Sequence, residues 1–413
     1  MSKKKIIAPL ILSFVAAAIY FVFFHKDKNL RYIPESADVV VLVDVKKLTR
    51  QYIFSLVMHP SHWSGGKTND KHSASLKDSG IRIPDFLQIF HIKDSGFSEW
   101  YAIMELKDQQ KFITFLKSRQ FTDKGKGHFQ KDQIYLRVEK GHFIVGTSDK
   151  AFESLGQQLF VAAGKYDRDA ELFIDGTLGS VSFISGQKFQ NFSIELKDDE
   201  IKIKNNSKPE ISNAFVSRFQ NGTHFLEMEL DADNIKKYTR FFNKGSADSS
   251  HINYVKARVD LEQVNDTIIS YGYDDNFNEI EKKSVQKIIQ PDYIIALQSL
   301  APEKTWEYFQ AKKWVNEKNE FTAIPFQPNT VIKNEVGAVI QSTKKSISLS
   351  SETKENYIFI RNSALLLSSL KMLSGEEKRI LSDIDYLLYR NKTRDHSLII
   401  KAKKGELPLL LRW

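Results

Sequence analysis

Residues 39–56 read VVVLVDVKKLTRQYIFSL. Val39–Val43 is an unbroken apolar run, Asp44 follows, and Val45, Leu48, Tyr52 and Leu56 then recur at helical spacing. A strand repeats every two residues and a helix about every 3.6, so the change of period marks a junction. A short carboxylate at that junction can accept a bond from an orphan N–H of the new helix. The stretch therefore predicts strand, cap, helix. The unit recurs. Tyr101–Leu106 (YAIMEL) precedes Asp108 and then Phe112, Phe115 and Leu116. Phe225–Leu230 (FLEMEL) precedes Asp233 and then Ile235, Tyr238 and Phe242. Tyr293–Leu297 (YIIAL) leads through Ser299 to Pro302, which suits a first helical turn, and on to Trp306 and Phe309. Asp44, Asp108 and Asp233 are read as helix caps.

A second pattern links Phe143–Ser148 (FIVGTS), followed by Ala151, Phe152 and Leu155, to Ile358–Ser363 (IFIRNS), followed by Leu366, Leu367 and Leu370. With the recurring unit it suggests two related halves. Between these units lie hairpin candidates: Ile134–Val145 turning at Lys140–Gly141, Phe192–Ile203 turning near Asp198–Asp199, and Val255–Tyr273 turning near Asn265–Asp266. Hairpins combined with strand-to-helix units predict an α+β fold of mixed, mostly antiparallel sheets covered by helices on one face, not a doubly wound parallel sheet.

The beginning of the chain carries its own signal. After Met1–Lys5 (MSKKK), residues 6–24 read IIAPLILSFVAAAIYFVFF without a charge. Such a run is long enough to span a hydrocarbon core of about 30 Å as a helix. Apolar residues continue past Ala16–Ala18, where a cleaved leader would turn polar, so an uncleaved signal anchor is expected. Lysines flank both sides and leave the charge rule nearly balanced; the bulk that follows favours the N-terminus inside. The expected organisation is a cytoplasmic tail at 1–5, a transmembrane anchor at 6–24, a polar juxtamembrane stretch at 25–33, and α+β domains at 34–215 and 216–413. The most loop-like segments are Ser61–Ser79, Asn205–Ser212 and Lys244–Ser250.

Composition narrows the functions. In 413 residues there are 60 Lys+Arg and 51 Asp+Glu, giving +9, and no Cys. Absence of cysteine removes disulfide scaffolds, thiolate metal sites and a cysteine nucleophile. The lysines are scattered, with no arginine-rich stripe interleaved with aromatics, so nucleic acid is not an expected partner.

Tyr32–Val41 (YIPESADVVV), running into Asp44 and a helix, resembles the opening of membrane-anchored envelope proteins from uncharacterised bacterial families. Trp100–Leu116 followed by Phe143–Leu155 is similar to the body of their repeat. The resemblance implies an extracytoplasmic mixed α/β protein without an assigned activity, and no catalytic residue carries over.

The search for chemistry returns little. His59, His62 and His72 share one segment, yet Pro60 breaks any helix that would align them, and no HExxH occurs. Asp274, Asn276 and Asn278 resemble the start of a calcium loop, but the sixth position is Glu279 and the twelfth Val285. The glycine pairs Gly125/Gly127 and Gly176/Gly179 lack phosphate-cradling spacing, and GxSxG is absent. No catalytic, cofactor or metal residue is therefore assigned. The apolar ending Leu407–Trp413 is expected to dock on the chain itself, or else on a partner or membrane. The leading expectation is a single-pass inner-membrane protein, mostly periplasmic, acting as a non-enzymatic interaction or scaffold component. Its partners would be the membrane and another envelope protein. A ligand-binding module for an envelope polymer or lipid, and an enzyme of unrecognised type, are the alternatives.

Overall fold

The computed structural model describes residues 20–21, 23–60, 79–161, 168–205, 213–220, 222–236, 251–273, 277–324, 328–349, 353, 355–370, 373, 375–392, 395–405 and 407–412. The chain divides into two units, Met1–Asn206 with Gly405–Trp413, and Ser207–Lys404. Both are mixed α+β, and among the described residues every strand pairing within them is antiparallel.

The first unit begins with β1 (Asn29–Leu30), β2 (Ala37–Asp44) and helix α1 (Val45–Met58). Next come β3 (Phe86–Ile92), β4 (Trp100–Glu105) and α2 (Gln109–Ser118), then β5 (Thr122–Gly125), β6 (His128–Lys131), β7 (Ile134–Glu139) and β8 (His142–Gly146). Helix α3 (Phe152–Val161) leads to β9 (Arg168–Asp169), β10 (Gly179–Ser185), β11 (Lys188–Leu196) and β12 (Glu200–Asn205). The sheet order is β12-β11-β10-β2-β3-β4-β8-β7-β6-β5, with β1 and β9 paired apart.

The second unit contains α4 (Asn213–Gln220), β13 (Leu226–Asp231), β14 (Ile252–Tyr273), β15 (Glu279–Ser299) and α5 (Pro302–Ala311). Then follow β16 (Asn329–Asn334), β17 (Gly337–Ser342), β18 (Asn356–Arg361), α6 (Ala364–Ser369), α7 (Gly375–Asp383), β19 (Ile384–Lys392) and β20 (Asp395–Ala402). Its order is β20-β19-β18-β13-β14-β15-β17-β16. Leave out the β5–β6 hairpin, and the first unit has the same strand order met in the same chain order, with β2 matching β13, β3 matching β14 and β4 matching β15. The first strand is followed by a helix in both units, and so is the third. The structure aligns the second sequence pattern differently: β8 takes the place of β17, and β18 that of β10, so Phe143–Ser148 and Ile358–Ser363 are not counterparts.

Caps behave largely as the chemistry demands. Asp44 accepts from the Lys47 amide at 2.8 Å and Asp108 from the Lys111 amide at 3.0 Å. In the third case Asp231, not Asp233, is the cap: its carboxylate takes the Asn234 amide at 3.0 Å while Asp233 is exposed. The strand simply ends two residues earlier than the aspartate chosen from the pattern. The hairpins at 134–146 and 188–205 form as expected, Lys140 and Gly141 both adopting positive φ as a two-residue turn needs. The third does not: Asn265 and Asp266 lie inside one continuous 22-residue strand, opposite Lys287 and Gln286.

Helices cover both sheet faces rather than one. In the first unit α2 sets Phe112 and Leu116 against Phe129, Leu136 and Phe143, while α3 sets Phe152, Leu155 and Leu159 against Val40, Leu42, Phe90 and Ile144 on the other side. An unbroken run such as Val39–Val43 needs apolar partners on both faces. In the second unit Phe309 of α5 packs with Tyr293, Phe321 and Ile340, and Phe219 of α4 with Tyr357, Phe359 and Leu388.

The unit boundary falls at 206/207 rather than 215/216, and the last residues fold with the first unit. Helix α8 (Leu409–Arg412) packs on α1, Leu409 is buried, and its amide reaches the Asp198 carbonyl at 2.6 Å. Residues 25–33 are likewise part of this fold, with Leu30 and Ile33 fully buried and β1 bonded to β9. Among the described residues no helix is long and apolar enough to cross a membrane. The span expected at 6–24 lies outside the described residues, except for Tyr20, Phe21, Phe23 and Phe24. The three expected loops also fall almost entirely outside them.

Candidate functional site

The most distinctive feature of the second unit is what β14 and β15 do beyond the sheet. β13 pairs with β14 only as far as Val259, and β17 pairs with β15 only from Ile294. From there outward the two strands pair with each other down to Tyr273 and Glu279. Both outer edges are open among the described residues. The ribbon from Glu262 to Tyr273 spans roughly 40 Å at about 3.4 Å per residue. Both of its faces are exposed, and it displays Ile268, Ile269, Tyr271, Tyr273, Phe277, Ile280 and Val285, with Tyr273 at 69% and Phe277 at 86% exposure.

A two-stranded ribbon is marginal in water by itself, and open edges invite pairing by other chains. The counterpart strands β3 and β4 of the first unit are joined across residues 93–99 and carry no such extension. The ribbon is thus an addition to a strand order that is complete without it.

Its root is firmly held. On one face Tyr293, Ile295 and Leu297 of β15 belong to the core under α5. On the other face Glu227 pairs with Arg258 at 3.0 Å and Glu229 with Lys256 at 3.2 Å. Glu229 is only 1% exposed and also accepts from the Thr353 amide and hydroxyl. Burial opposes its charge, but the Thr353 donors and the Lys256 ammonium outweigh that and hold the carboxyl below its ordinary range. Farther out, Asp260 receives His224 Nδ1 at 2.7 Å and Lys345 at 2.9 Å. Burial again opposes ionisation, and Lys345 and His224 again overcome it.

These shifts set a pH response. A carboxyl depressed in the folded state contributes stability that is present above its unfolded pKa and lost as pH falls through the folded value. The urea midpoint of the second unit is therefore expected to decline below about pH 4.5, the ordinary value for Glu229. The Glu229→Gln/Asp260→Asn variant should start lower and decline less over the same range.

Next to the root a groove of about 560 Å³ is lined by Phe225, Leu261, Ile288, Ile289, Pro291 and Leu366, among others. In the first unit a second surface stands out. Helix α1 buries no residue and exposes Tyr52, Ile53, Phe54, Val57 and Met58. Its polar side grips the chain that leaves the apolar run: Arg50 bonds the Phe23 carbonyl and lies 4.7 Å over the Phe24 ring, and Lys46 bonds the His25 carbonyl. Lys26 pairs with the buried Asp44. Tyr32 donates to Glu105 at 2.8 Å; burial first, and that bond second, push its phenol well up.

The residues weighed for chemistry are not brought together. His59 caps α1, its ring bonded to the Ser55 carbonyl at 2.8 Å, while His62 and His72 lie outside the described residues. Among the described residues no group of three His, Asp or Glu is placed to hold a metal. Asp274–Asn276 fall outside the described residues, and Asn278 and Glu279 sit at the ribbon's far end. Sequence reasoning missed the ribbon. Its signal was two segments of near-equal length and high β-propensity on either side of the mostly polar stretch 274–278, in which Phe277 is the exception. Compared with protein-family models and with curated proteins, the chain matches neither.

Proposed function

We propose that the chain is a single-pass bacterial inner-membrane protein, anchored by residues 6–24 with its bulk in the periplasm. It acts as a non-enzymatic interaction or scaffold component of an envelope assembly. The observation that carries this reading is the β14–β15 ribbon, which exposes aromatic and aliphatic side chains on an extended arm. Such exposed apolar groups on a rooted arm suit a protein contact. The uncharged run at 6–24 supports the anchor, as does the exposed apolar side of α1 beside Phe23 and Phe24, which suits the bilayer interface. The resemblance of Tyr32–Val41 to anchored envelope proteins points the same way. The shared strand order supports two halves related by duplication, of which the second gained the arm.

The test places a photo-cross-linker at Thr267 of the full chain in native membranes. Capture of a neighbouring protein is expected, and it should be lost in the Tyr271→Ser/Tyr273→Ser variant. Both side chains are exposed, so the folding stability of that variant should move by only about 0.5 kcal/mol per site. A chain that captures nothing, or that fractionates away from membranes, would defeat the reading. The groove at the ribbon's root favours one further reading, a module that takes an apolar moiety of an envelope lipid; its size is in the range of small-ligand sites.

A further inference from the structure

We infer that the partner of the ribbon is a second copy of this chain, joined edge to edge through β15 in a two-fold arrangement centred on Ser284. This rests on the reading of the ribbon as an interaction arm and specifies its occupant.

The argument begins with the edges. The outer edge of β14 beyond Val259 carries only Asp260, Glu262 and Asp266 as charges, all acidic, so it offers no complementary pair to a copy of itself. The outer edge of β15 carries both signs: Glu279, Glu281, Lys282, Lys283 and Lys287. A two-fold contact sets the same strand against itself in antiparallel order, so each residue faces a fixed partner. With Ser284 at the centre, Glu281 faces Lys287 of the second copy and Lys287 faces its Glu281. Ile280 faces Ile288 twice over, Lys282 faces Gln286, and Lys283 faces Val285. Shifting the centre to Lys283 sets that lysine against itself, and centring on Val285 sets Lys283 against Lys287 twice. Like charges directly opposed destabilise a sheet and opposite ones support it. The Ser284 register therefore pairs opposite charges twice without opposing like ones.

The side chains agree with the register. Glu281 and Lys287 both lie on the ribbon face that carries Tyr271 and Asn265, because their positions oppose those residues. Ile280 and Ile288 lie on the other face with Ile268 and Val264. Pairing would then form a four-stranded sheet in which Val264 and Ile288 of one copy continue into Ile280 of the other. Glu281 already contacts Lys283 at 3.0 Å, but both are well exposed, so that pair holds the carboxylate only weakly. Four strands with an apolar strip satisfy what two strands in water lack.

The chain contains no cysteine, so single cysteines report distance directly. Directly opposed residues in an antiparallel pair have Cα atoms about 4.5–5.5 Å apart, within the range a disulfide bridges. The full-length Ser284→Cys variant, oxidised in native membranes, is expected to run as a covalent dimer of the 47.6 kDa chain. Asp266→Cys, on the opposite edge, is not. Lys287→Glu should weaken the dimer in detergent about tenfold or more, and adding Glu281→Lys should restore it. Cross-linking through Asp266→Cys but not Ser284→Cys would overturn the inference, as would indifference to the charge reversal. If the Thr267 photo-cross-linker captures a different protein while Ser284→Cys stays monomeric, the second copy is excluded and the interaction reading stands. If neither captures anything, both fall.

Discussion

Replacing Lys256 by methionine is expected to destabilise the second unit by about 3 kcal/mol or more. The ammonium lies 3.2 Å from Glu229, and both side chains are almost wholly buried. Removing it leaves an interior carboxylate that keeps the Thr353 donors but has lost its cation. Truncating one member of a buried pair costs far more than replacing both, because the remaining charge has lost its compensation and cannot reach water. The first unit supplies the control. Counting back from the capping aspartates Asp44 and Asp231, Glu229 and Lys256 take the places of Leu42 and Gln88, which also face each other across strands. The Glu229→Leu/Lys256→Gln variant should recover most of the loss measured for Lys256→Met. A Lys256→Met midpoint equal to that of the parent in urea would mean that the pair contributes nothing.

Phe309→Ala is expected to cost about 3–5 kcal/mol, the usual price of emptying a buried aromatic site. The ring is 1% exposed, 5.4 Å from Phe321 and 5.7 Å from Trp314. It is the main side chain by which α5 covers β15, and several of its neighbours are rigid aromatics that cannot easily collapse into the void. Phe309→Leu should lose appreciably less. Because α5 packs on the inner half of β15, the alanine variant should also raise hydrogen exchange at Tyr293–Leu297. If exchange rises only in the ribbon and not there, the helix is not what holds the root.

Local chemistry was legible from the residues, and long-range partnership was not. Val39–Val43 with Asp44, Tyr101–Leu106 with Asp108, and the Lys140–Gly141 turn each carry a period or a backbone requirement readable within a dozen residues. Phe225–Leu230 shows the limit. Its alternation places Leu226, Met228 and Leu230 on one face, which implies that Glu227 and Glu229 face water. They are instead 6% and 1% exposed, because Arg258 and Lys256 on the next strand face them. Nothing within the segment announces a cation some thirty residues later. The misplaced turn at Asn265–Asp266 has a similar cause. A polar pair inside alternating residues looks like a turn if a strand is assumed to end with its sheet, but here pairing continues where the sheet stops. Leu30 and Ile33 were hidden among charged neighbours, and their burial depends on α3 and Phe173, far along the chain.

The docking of residues 407–412 onto the first unit bears on how the molecule is made. These residues leave the ribosome after all of 207–404, yet Leu409 belongs beside α1 and Asp198. The first unit must therefore wait, incomplete, while the entire intervening unit is synthesised. For a nascent polypeptide made from its N-terminus, the order of completion would be middle before beginning. Chaperone dependence during synthesis should concentrate on the early segment, which stays open longest.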